Sequence, residues 1–167
     1  MNTKGNNIIL IGMPGAGKST IGVILAKILG YQFVDSDLII QDRQKKLLKN
    51  IIKDEGVDGF IQIENEINSS ILVDKTIIAT GGSAIYGKEA MDHFKNIGKV
   101  VYIKLDYDTL IKRLGDIKQR GVVLKDGQNL KMLYDERCPL YEQYADVVIH
   151  ASGMGIEEVV EMISSKL

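Results

Sequence analysis

Short apolar runs alternate along the chain with longer stretches in which apolar residues recur every three or four positions. The runs at 8–11, 32–35, 76–80, 100–105 and 147–150 are mostly β-branched, the pattern of strands buried on both faces. Helical spacing marks 18–29, 38–46, 55–73, 88–96, 108–114, 130–144 and 156–165. Strands alternating with helices predict a parallel sheet between two helical layers, an α/β fold in a three-layer α/β/α arrangement. Ligands of such a sheet bind at the carboxyl ends of its strands. The segment 115–129 has three glycines, mixed charge and no period, and reads as a loop able to act as a lid. No repeat, low-complexity tract or Pro/Ser/Gly linker divides the chain, so 1–167 reads as a single domain.

Composition narrows the function classes. With 167 residues, 45% hydrophobic and 26% charged, the chain has the balance of a globular protein with a substantial core. A formal net charge of -1 gives no overall field for nucleic acid or an anionic membrane. Cys138 is the only cysteine, which excludes an intrachain disulfide and a cysteine-rich zinc site and fits a reducing compartment. The polar start of the chain and its short apolar runs show neither a signal peptide nor a membrane span, so a cytoplasmic, monomeric protein acting on a small molecule is expected.

The first chemical signal is Gly12-Met13-Pro14-Gly15-Ala16-Gly17-Lys18-Ser19, followed by Thr20. It fits G-x-x-x-x-G-K-[ST] and lies between an apolar strand and an amphipathic helix, the context a phosphate-binding loop requires. Glycines let successive backbone N–H groups turn toward phosphate oxygens, and the helix N-terminus adds partial positive charge. Lys18 is then placed to neutralise the β- and γ-phosphates of ATP, and Ser19 to ligate Mg²⁺.

A second signal ends the second strand, Val34-Asp35-Ser36-Asp37. In an extended segment Asp35 and Asp37 share a face. One carboxylate can hold Mg²⁺ and the other can accept the proton of an attacking hydroxyl. The alternative for Asp37 is that it only caps the following helix.

With these motifs on view, the chain resembles the shikimate kinases, small P-loop kinases of the nucleoside-monophosphate-kinase type, nearly from end to end. The resemblance rests on the P-loop, on Asp35-Ser36-Asp37, on Ala79-Thr80-Gly81-Gly82, on Arg113-Leu114 with Arg120, and on Arg137-Cys138-Pro139-Leu140-Tyr141. It implies a five-stranded parallel sheet in the order 2-3-1-4-5 with a lid, and transfer of the ATP γ-phosphoryl group to a hydroxyl of shikimate or a similar small anionic metabolite. It also implies roles: Asp37 as base, Asp35 near Mg²⁺, Phe60, Gly81 and Gly82 against the acceptor, Arg113 on adenine, Arg120 over the transferring group, and Arg137 on the acceptor carboxylate.

The acceptor half departs from the family. Its Phe-Arg-x-x-Glu reads Phe60-Ile61-Gln62-Ile63-Glu64 here, with isoleucine where a second carboxylate-binding arginine belongs. Glu64 thereby loses its family partner and reads as a surface charge. Ser83 replaces the third glycine of the glycine run, Ile52 an aromatic residue facing the substrate ring, and Gln44-Lys45-Lys46 a glycine-containing turn. A kinase for another small hydroxylated acceptor, and a non-catalytic nucleotide-binding regulator, are the two alternatives that these departures raise.

Overall fold

A computed structural model describes residues 4–114 and 124–167. The five apolar runs form β1 (Asn7–Ile11), β2 (Gln32–Asp35), β3 (Thr76–Ala79), β4 (Gly98–Lys104) and β5 (Val147–His150), paired in parallel in the order β2-β3-β1-β4-β5. Every residue of β1 and β3 is buried, as the continuous apolar runs require of strands covered on both faces. Seven helices are described: α1 (Lys18–Leu29), α2 (Ser36–Gln44), α3 (Leu48–Ser69), α4 (Lys88–Ile97), α5 (Tyr107–Leu114), α6 (Leu130–Tyr144) and α7 (Ile156–Ser165). α1 packs on β2 and β3 beside α7, while α3 packs on α4, which lies against β4. These groups make the helical layers of the predicted α/β/α arrangement. Among the described residues, no helix is long and apolar enough to cross a membrane.

Register fixes where the chain can do chemistry. Leu10 of β1 and Asp35 of β2 both stand opposite Ala79 of β3. The three strands therefore end level, and the segments that leave them, 12–17, 36–37 and 80–83, emerge along one sheet edge.

Beyond shifts of a few residues at element ends, two elements differ from the sequence reading. α3 begins at Leu48 rather than at 55 and breaks at Gly56, where φ is 73° and ψ 176°. The stretch before Gly56 carries one short apolar repeat, Leu48, Ile51 and Ile52, which the break at Gly56 cuts off from the rest of the helix. Its first turn is secured from outside, by the Gln41 side chain of α2 accepting from the Leu48 N–H at 3.0 Å. The turn between α2 and α3 puts Lys45 at φ 55°, the left-handed geometry that favours glycine, which is why a lysine there stands out in sequence. A short 3-10 turn, Ala84–Tyr86, lies between β3 and α4 and has no periodic signature at three residues.

Candidate active site

The P-loop closes the end of β1 onto α1. Gly12, Gly15 and Gly17 have φ of 149°, 84° and 90°, and a Cβ on Gly12 would meet the Ile103 carbonyl oxygen at 2.7 Å. Gly12 and Ala16 shape the loop, whereas Gly15, Gly17, Lys18, Ser19 and Thr20 line an open cavity of about 410 Å³. Lys18 is buried, and its Nζ donates to the Gly12 and Met13 carbonyls at 2.7 and 2.8 Å, leaving one N–H for a phosphate oxygen. Burial pushes its ammonium down to about 8, opposed by the attraction of Asp37; Arg137 lowers it further.

Asp35 and Asp37 take different parts. Asp35 is the N-cap of α2: its Oδ1 accepts from the Asp37 N–H at 3.0 Å, and its Oδ2 accepts from the Ser19 hydroxyl at 2.7 Å. Asp37 is therefore not the cap, and its side chain lines the cavity. Burial, reinforced by the neighbouring Asp35, raises its carboxyl to about 6, against the pull of Lys18. Ser19 and Asp35 form a pair of hard oxygen donors beside the loop. That pair fits a cation such as Mg²⁺, which keeps most of its octahedral positions for phosphate and water. Among the described residues, no cluster of three or more His, Cys, Asp or Glu makes a self-sufficient metal site.

The acceptor side of the cavity is walled by Leu48, Phe60, Glu64, Thr80, Gly81, Gly82, Ser83 and Arg137. The Thr80 hydroxyl donates to the Leu10 carbonyl at 2.9 Å and pins the glycine run to β1. Tyr141, fully buried and stacked on Tyr102, donates its hydroxyl to the Gly82 carbonyl at 2.6 Å. The glycines are needed for space: a Cβ on Gly82 would come within 2.8 Å of Arg137 Nη1 and 2.7 Å of Pro14 Cδ. Arg137 is 1% exposed, and its guanidinium lies 5.4 Å from the centre of the Tyr86 ring.

Several expectations change here. Glu64 is not a surface charge: it is 2% exposed, and its Oε1 accepts from the buried Ser83 hydroxyl at 2.6 Å. Ser83 thus spends its hydroxyl on Glu64. Ile52 packs beside the small cluster of Ile40, Ile51, Phe60 and Ile67, and Leu48 takes the cavity wall instead. Arg113 is exposed on the last turn of α5, whose Leu114 packs over Gly15. Arg120 and most of the expected lid lie outside the described residues. Sequence reading missed Tyr141 as a brace and Glu64 as a wall residue; a polar residue at helical core spacing in α3 was the available signal for Glu64.

Comparison with known proteins bears on the family and the fold. The family model described as shikimate kinase matches residues 14–167. A shikimate kinase of Francisella tularensis subsp. holarctica is 39% identical over 165 residues, 96% of this chain and 94% of that protein. The structure of shikimate kinase from Acinetobacter baumannii, determined in complex with shikimate, superposes with a TM-score of 0.86 at 30% identity, covering 99% of this chain and 93% of that one. The Aquifex aeolicus shikimate kinase superposes with a TM-score of 0.77 at 28% identity, over 96% and 94% of the two chains.

Proposed function

Since the chain belongs to the shikimate kinase family and is an ATP-dependent phosphotransferase acting on a hydroxyl, we propose that its acceptor is shikimate and that Lys18, Asp37 and Arg137 carry the reaction. The observation behind this reading is the convergence of the three on one cavity, with the P-loop on one wall and the Gly81-Gly82 backbone on another. The family does not favour a re-specified acceptor or a non-catalytic regulator.

In this reading the P-loop N–H groups and Lys18 bind the nucleotide phosphates, and the Lys18 ammonium offsets charge on the transferring group. Negative phosphate beside Lys18 restores the protonated form that burial disfavours. Ser19 and Asp35 would hold Mg²⁺, which would supply further neutralisation of charge on the nucleotide phosphates. Asp37, ionised above about pH 6, orients the acceptor hydroxyl and takes its proton. Arg137 grips the acceptor carboxylate with its planar fork, held in place by the packing around Tyr86 and Tyr141. Arg113 and Arg120 keep the adenine and lid roles that family likeness suggests, and the protein works as a cytoplasmic monomer.

The test is ADP release from MgATP by the purified protein, with shikimate compared against a panel of hydroxy acids, polyols and amino alcohols. Saturable turnover with shikimate, abolished in Asp37→Asn while ATP still binds, is the expected result. Turnover with another acceptor and none with shikimate would overturn the assignment.

A further inference from the structure

Gly81 and Glu64 carry an arrangement that the roles above leave unused. A Cβ on Gly81 would meet Asp37 Oδ1 at 2.6 Å and Glu64 Oε2 at 2.9 Å, so two carboxyl oxygens from α2 and α3 converge on one point of the cavity wall. Glu64 is 2% exposed, and its Oε2 has no hydrogen-bond partner among the described residues. A buried, orphaned carboxyl oxygen aimed into a polar cavity is costly unless a ligand completes it. The other oxygen, Oε1, accepts the Ser83 hydroxyl at 2.6 Å. Oε1 thus behaves as the carbonyl oxygen of an acid, and a proton on the residue belongs on Oε2.

We propose that Glu64 is a specificity-determining residue that works as a neutral carboxylic acid, its Oε2–H donating to an acceptor oxygen held between Asp37 and Arg137. The inference rests on the acceptor site read above. One guanidinium, Arg137, and one neutral donor, Glu64, then face the acceptor from the same wall, and Ser83 fixes which oxygen of Glu64 carries the proton. The charged groups facing Glu64 are Asp37 on α2 and Arg137 on α6. Burial raises its carboxyl to about 8, with Asp37 adding and Ser83 and Arg137 opposing, in keeping with two carboxyl groups too close to ionise together. The pocket then prefers acceptors that present a carboxylate or hydroxyl oxygen at this point and rejects those presenting an ammonium.

Steady-state kinetics of Glu64→Gln and Glu64→Ala with shikimate and ATP test this, together with infrared difference spectra of wild type against Glu64→Gln at pH 7. Glutamine keeps a neutral donor, so its shikimate KM should stay within about threefold of wild type. Alanine removes the donor and should raise that KM roughly tenfold or more while the ATP KM holds. The wild-type spectrum should carry a protonated-carboxyl band that Glu64→Gln lacks. Equal damage from both substitutions, unchanged shikimate KM in both, or no such band would each overturn the proposal. A wild type inactive on shikimate would instead sink the acceptor assignment, and the infrared band, which needs no acceptor, would still decide whether Glu64 is neutral.

Discussion

Replacing Glu64 by glutamine should change how stability depends on pH far more than it changes stability itself. The folded chain holds this carboxyl at 2% exposure with Ser83 as its one hydrogen-bond donor among the described residues, and burial outweighs the attraction of Arg137. Its proton is therefore bound up to about pH 8, against an ordinary value of 4.5. The unfolded chain begins to lose that proton near the ordinary value, so the folded state is the tighter proton binder between the two. Stability from this group is present in full below the ordinary carboxyl range and is lost as pH rises to about 8. Each unit of difference is about 1.4 kcal/mol, so wild type should lose roughly 3 kcal/mol between pH 5 and pH 8 from Glu64 alone. Glutamine has no proton to lose. Urea unfolding of both proteins at pH 5 and pH 8, extrapolated to water, gives the two changes, and their difference isolates Glu64 because every other titrating group is shared. Parallel pH dependences would refute the reasoning, since they require a Glu64 ionised in the folded state and stabilised there by Arg137.

Three further outcomes follow from the site. Lys18→Ala should weaken ATP binding roughly ten- to a hundredfold, the value of one charge-assisted contact, and depress kcat by a larger factor; titration calorimetry with ATP and steady-state rates check both. Gly81→Ala puts a methyl within 2.6 Å of Asp37 Oδ1 and 2.9 Å of Glu64 Oε2, so the shikimate KM should rise at least tenfold with the ATP KM unchanged; equal rises in both would mean that the cavity wall as a whole had shifted. Ile61→Arg should lower the shikimate KM about tenfold by restoring a guanidinium. The same change should pull the Glu64 carboxyl down by giving it a cation, so the protonated-carboxyl band should weaken in the same variant.

The nucleotide half was legible in the sequence because its parts are contiguous and made mostly of backbone. Eight residues from Gly12 to Ser19 specify a turn whose φ values suit glycine and whose N–H groups do the binding, and no distant side chain is needed to recognise it. Four of the five strands were legible for a similar reason: β1, β3, β4 and β5 each hold a run of three or more apolar residues, as strands covered on both faces require, while β2, Gln32–Asp35, was placed by its position between two helical stretches. The first half of α3 was not legible, because Gln41 of another helix caps it and Gly56 interrupts its period. The acceptor half failed to read for a deeper reason. Glu64 looked like a stranded surface charge because its meaning depends on Ser83, nineteen positions away, and on Asp37 across Gly81. Ile61 and Ser83 appear in sequence as two separate departures from the family, one removing a cation and the other adding bulk. In the fold Ser83 meets the carboxyl of Glu64 and gives it the hydrogen bond that a neutral acid can use, while Ile61, three positions earlier on α3, brings no charge. The spacing of Ile61 and Glu64 is visible along the helix, but the contact from Ser83 leaves no local pattern to find, and only the fold brings it to Glu64.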